Sequence, residues 1–161
     1  MVSKEEIITN IENVLSSEKD KFQDKDIFLV DVKVTNDNRI TVHIDSFEGT
    51  KVADCATLSK FVEENLDRES EDFELIVSSA GLDKPFKVIN QYKKNIGRKV
   101  EVQTNEGEKL RGELLKVSDL EFVIKPENKK ASKKKKINTE LNQEQIFKFE
   151  YIKQVKVVIT F

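Results

Sequence analysis

One histidine, one cysteine and five glycines limit the chemistry open to this chain. His43 and Cys55 offer one nitrogen and one sulfur ligand, too few for the usual zinc site, which draws on several. The glycines stand at 49, 81, 97, 107 and 112, and they form neither a phosphate-cradling loop nor a dinucleotide fingerprint. Carboxylates are plentiful but scattered, and exposed acids alone do not make an acid–base pair. No catalytic residue, metal ligand or cofactor is expected, which leaves binding.

Two groupings suit binding. Ser78-Ser79-Ala80-Gly81-Leu82-Asp83-Lys84-Pro85 combines two hydroxyls, both charge signs and a glycine that lets another backbone approach. It either makes a contact or simply joins a strand to a linker. Lys133-Lys134-Lys135-Lys136, with Lys129 and Lys130 nearby, either meets phosphate or forms a solvated loop. RNA-recognition aromatics are missing: there is no Trp, and most Phe residues fall at core-like positions.

The elements that must hold these groups follow from periodicity. Ser3-Lys4-Glu5-Glu6 has the spacing of a capping box, and Ile7, Ile8, Ile11, Val14 and Leu15 form one helical face behind it. Phe28, Val30, Val32 and Val34 alternate with Leu29, Asp31 and Lys33 as in a half-buried strand. Asn36-Asp37-Asn38 supplies a tight turn, and Ile40, Val42 and Ile44 return as the second strand of a hairpin. His43 is out of phase with those three, which makes it a strand-surface histidine. A second helix carries Val52, Cys55, Leu58, Val62 and Leu66 on its apolar face, so Cys55 reads as a small core residue. Phe73, Leu75 and Val77 make a third strand. The order αββαβ places helices over a small sheet.

Beyond Gly97 the texture changes to short strands punctuated by Asn105-Glu106-Gly107 and Ser118-Asp119, the pattern of a small β-barrel. The fold class is therefore α+β: an N-terminal α+β domain over residues 1–87 and an all-β barrel over 88–161. A Lys-rich loop spans 127–143 within the barrel. Charge divides along the same line. Met1–Lys87 holds 11 Lys/Arg against 20 Asp/Glu, and Val88–Phe161 holds 17 against 10. The basic half is the better candidate for a phosphate backbone. No apolar run approaches a membrane span, no signal-peptide pattern opens the chain, and a lone cysteine suits a reducing, cytoplasmic setting.

Two stretches resemble the bacterial ribosome maturation factor RimP family. The first comprises Ile44-Asp45-Ser46-Phe47-Glu48-Gly49, Val52-Ala53-Asp54-Cys55 and Phe73 through Pro85. The second runs from Gly97-Arg98-Lys99-Val100 to Leu110-Arg111-Gly112-Glu113-Leu114 and is similar to the opening of that family's Sm-type (Sm/SH3-like) barrel. Ala80 stands where the family usually has proline, and Lys84 where it has arginine, which removes a planar fork. The Lys-rich stretch is longer than the family pattern.

The resemblance implies a non-enzymatic factor that binds the immature small ribosomal subunit and assists its late assembly, touching rRNA and a ribosomal protein. Ser78, Ser79, Gly81, Leu82, Asp83, Lys84 and Pro85 are then the expected partner contacts. Arg98, Lys99, Arg111 and Lys133, Lys134, Lys135 and Lys136 are the expected RNA contacts. A monomer with no membrane or small-molecule ligand is expected. The alternative is a general Sm-like RNA-binding protein without a ribosomal role.

Overall fold

The computed structural model describes residues 2–66, 72–127 and 144–159. Lys133–Lys136 lie outside them. The chain divides into two compact units, residues 1–80 and 81–161.

In the first unit, α1 (Lys4–Ser17) begins where the Ser3 hydroxyl accepts the Glu6 N–H at 3.4 Å. The return arm of the expected capping box is different: the Ser3 hydroxyl donates to the Glu5 carboxylate instead. Ile7, Ile11 and Val14 form the buried face of α1. β1 (Ile27–Val34) and β2 (Arg39–Ser46) pair as the expected antiparallel hairpin. Asn38 sits at its turn with φ +60°, a left-handed conformation that Asn tolerates. After α2 (Val52–Glu64), β3 (Glu74–Ser79) lies parallel to β2, giving the order β1-β2-β3. Val32, Ile40, Val42 and Ile44 close the core with Ile7, Ile11, Leu58 and Val62.

Two expectations about faces are corrected. The ladder slips between Leu29 and Asp31, leaving Val30 as a bulge. The core side of β1 therefore reads Ile27, Leu29, Val32 and Val34, while Phe28 packs edge-on against Phe47 at 5.5 Å. On α2, Val52 is 88% exposed, and the inward position of the first turn belongs to Asp54, which is buried. Its carboxylate accepts the N–H groups of Gln23 at 2.7 Å and Asp24 at 3.0 Å. Those two donors explain why a charged residue can sit there.

The second unit begins with α3 (Ile89–Lys94) and continues through β4 (Lys99–Thr104), β5 (Lys109–Val117), β6 (Glu121–Pro126), β7 (Gln145–Lys148) and β8 (Ile152–Val157). All pairings are antiparallel, in the order β7-β6-β5-β4-β8. The core gathers Val100, Val102, Leu114, Phe122, Ile124 and Val155 around Tyr92. The Tyr92 ring lies 4.8 Å from Phe86 and 5.0 Å from Phe149, both edge-on, and burial pushes its hydroxyl pKa up to about 12. At Gly112 a Cβ would fall 2.3 Å from the Lys125 carbonyl oxygen, so only glycine permits β5 to approach β6 this closely.

The expected barrel is not closed. Among the described residues β7 and β8 remain edges of an open five-stranded sheet. β7 is only four residues long, and one 3-10 turn, Phe149–Tyr151, carries the chain from one edge strand to the other. A ladder between β7 and β8, which closure demands, is missing there.

Candidate functional site

The Ser78–Pro85 segment straddles the two units. On the first, Ser78 and Ser79 end β3 opposite His43 and Ile44, and the Ala80 N–H donates to the Ile44 carbonyl at 2.9 Å. On the second, Gly81 opens a turn in which the Lys84 N–H reaches back to its carbonyl. A Cβ on Gly81 would stand 2.9 Å from Asp83 Oδ1 and 3.4 Å from Lys84 Cγ. The glycine thus lets the Asp83 carboxylate fold back over the turn. Leu82, Asp83 and Lys84 are exposed, and Pro85 is half-buried.

Asp83 lines a cleft of about 250 Å³ with Glu101, Arg111, Lys156 and the run Val157–Ile159. The structure thereby brings an expected partner contact, Asp83, together with an expected RNA contact, Arg111. Glu101 and Lys156, which sequence reasoning did not single out, complete the cleft. Register explains them. Arg111, Glu101 and Lys156 occupy one cross-strand row over β5, β4 and β8. Arg111 Nε stands 2.9 Å from Glu101 Oε2. The neighbouring row sets Lys125, Glu113 and Lys99 side by side over β6, β5 and β4. Lys99 is also ion-paired with Glu127.

This pairing changes the value of the predicted RNA contacts. Lys99 and Arg111 each already hold a carboxylate, so a phosphate must compete for them. Arg98 is exposed and makes no ion pair among the described residues. It is the one member of that trio ready for an anion without rearrangement.

The outward face of the first sheet carries a second row: Asp31, His43 and Ser78 on adjacent strands. His43 Nδ1 is 2.6 Å from Asp31 Oδ1. These residue types invite comparison with a hydrolytic triad. The row lacks the link that matters, since no hydrogen bond joins the Ser78 hydroxyl to the ring. It is a surface histidine held by a neighbouring carboxylate, consistent with its phase on β2. Cys55 is likewise no activated thiol: burial first, and then the Asp54 carboxylate beside it, raise its pKa above the ordinary value. Among the described residues no group of His, Cys, Asp or Glu is arranged to hold a metal ion. No helix there is long and apolar enough to cross a membrane.

Comparison with known proteins bears on what these surfaces serve. Residues 19–83 match the family model for the RimP N-terminal domain. A ribosome maturation factor RimP of Christiangramia forsetii is 35% identical over 139 residues, covering 86% of this chain and 90% of the relative. The chain belongs to the RimP family. RimP proteins of Flavobacterium psychrophilum (36% identical, covering 84% of this chain and 87% of the relative) and Porphyromonas gingivalis (35%, 83% and 87%) agree. The RimP N-terminal match runs from the loop tied down by Asp54, through both strands of the hairpin, to Asp83.

Proposed function

We propose that this protein assists maturation of the small ribosomal subunit by binding its immature form, as a cytoplasmic monomer that transforms no substrate. The observation that carries this reading is the pairing of near-full-length similarity to ribosome maturation factors with two units of opposite charge. Residues 1–80 hold 9 Lys/Arg against 19 Asp/Glu, a net −10. Residues 81–161 hold 19 against 11, a net +8. The acidic unit suits a basic ribosomal protein and the basic unit suits rRNA. Within the basic unit, Arg98 is the freer described phosphate contact, while Lys99 and Arg111 act only after yielding a carboxylate; Lys133–Lys136, outside the described residues, are further phosphate contacts by their charge alone. Asp83 and Lys84 at the exposed turn contact the partner. The strand order of the second sheet suits an Sm/SH3-like module, which favours RNA as one ligand.

Depletion of the protein tests this reading. The expected result is an accumulation of immature small subunits in the ribosomal profile. An unaffected profile moves the reading to a general RNA-binding protein.

A further inference from the structure

Edge strands expose unpaired backbone groups, and proteins normally blunt them with lysines, prolines, bulges or brevity. Among the described residues the two sheets present four such edges, and three are blunted. β1 has its bulge at Val30 and an exposed Lys33. β7 is four residues long and ends in Lys148. β8 slips register against β4 around Lys153 and carries Lys156. β3 has none of these devices. It runs Glu-Leu-Ile-Val-Ser-Ser over six residues, without Lys, Arg, Pro or Gly, in unbroken register with β2. Ile76, at its middle, is 51% exposed.

The direction of its free groups follows from two hydrogen bonds. Glu74 donates its N–H to the Asn38 carbonyl and Ala80 donates to the Ile44 carbonyl, so even-numbered residues of β3 face β2. In a parallel ladder the alternate residues turn both N–H and C=O the other way. Leu75, Val77 and Ser79 therefore present three donors and three acceptors on the open side, among the described residues.

We infer that β3 is a docking edge that accepts an extended, Lys/Arg-rich protein segment as an additional strand. Charge selects this occupant. The unit carries a net −10, which attracts a basic segment, repels a phosphate backbone, and opposes edge-to-edge pairing of two copies of itself. Backbone pairing supplies affinity, and Ile76 offers the added strand an apolar neighbour on the outward face. The edge ends in Ser78 and Ser79, the first two of the expected partner contacts. The inference rests on the reading that the acidic unit faces a ribosomal protein, and it adds the mode of contact.

Synthetic peptides tiling the Lys/Arg-rich extensions of small-subunit ribosomal proteins, titrated into the full-length chain, test it. The expected result is saturable binding that slows amide hydrogen exchange at Leu75, Val77 and Ser79. Val77→Pro removes an outward donor without touching a bond to β2, and should weaken binding at least about tenfold while circular dichroism stays native. Ile76→Lys changes only a half-exposed side chain, so it tests the edge even if the proline variant unfolds. It should weaken binding by charge repulsion. Peptide binding that leaves those three amides unprotected overturns the inference, as do native affinity in both folded variants, no peptide binding at all, or protection arising from self-association. Folded variants that still co-sediment with immature subunits like the unmodified chain overturn the edge alone. If the unmodified chain itself does not co-sediment, the assembly reading fails.

Discussion

The two units handle charge in opposite ways. In the first, two carboxylates are taken inside: Asp54 is buried and holds two backbone amides, and Asp24 is buried beside it and accepts the Asp26 N–H, while the remaining acids contribute to a net field. In the second, charge stays on the sheet surface and is cancelled in part, as where Glu101 pairs with Arg111 beside Lys156. A unit's net charge is therefore a poor map of its usable charge. The acidic unit keeps most of its sign for long-range attraction, whereas two of the basic unit's strand cations, Lys99 and Arg111, are neutralised locally. The basic unit's surplus comes from residues outside the ion pairs, such as Arg98 and Lys156.

The sharpest way to break this contrast is at Asp54. Asp54→Ala leaves the Gln23 and Asp24 amides without their acceptor in a buried site, and should cost about 3–5 kcal/mol of stability. Urea unfolding of the full chain, with probes in each unit, checks it. The loss should appear in the first unit's transition alone. A change below about 1 kcal/mol would mean that water replaces the carboxylate and that Asp54 is not a structural tie.

That tie also shows where sequence reading reached its limit. Helices, hairpin and third strand were legible because each is encoded by a local period; Ser78–Pro85 stood out as a candidate because its residues are contiguous. What depends on distant partners was not. The α2 periodicity puts Val52 inward and says nothing of Asp54, because the amides that make its burial tolerable lie about 30 residues away. The alternation of β1 runs through Val30 unbroken, yet the bulge reverses which residues meet the core. Lys99 and Arg111 read as free cations because their neutralising carboxylates are neighbours across strands, a matter of register that no single segment contains. Strand content in the second unit was visible; whether the sheet closes depends on the length and partners of β7, which was not.

A smaller effect sharpens the second half of the contrast. Arg111 is about half exposed, so its pair with Glu101 is worth less than about 1 kcal/mol, and Glu101→Gln should barely move stability. It should, however, release Arg111 for phosphate. Binding of the full chain to a small-subunit rRNA transcript should tighten, and the slope of log affinity against log salt should steepen by about 0.7–0.9. Unchanged affinity and slope would show that this face does not meet RNA.

The smallest expected effect lies on the hairpin turn of the first unit, where a carboxylate is used but not buried. Asp37 accepts the Thr35 hydroxyl and lies 3.4 Å from Arg39 Nε. The Thr35 hydrogen bond first, and Arg39 to a lesser degree, hold its pKa below the ordinary 3.8. A depressed folded-state pKa means that the stabilisation is present above the unfolded value and is lost as pH falls through the folded one. Asp37→Asn keeps the shape and removes the charge. The thermal midpoint of the variant should therefore sit slightly below that of the unmodified chain at neutral pH, and the two should converge in strong acid. Because the side chain is exposed, salt should narrow the gap as well. If the gap ignored both pH and salt, the turn would owe its stability to the backbone bonds that close it at Thr35, Asn38 and Arg39, and the charge on Asp37 would be surplus to the fold.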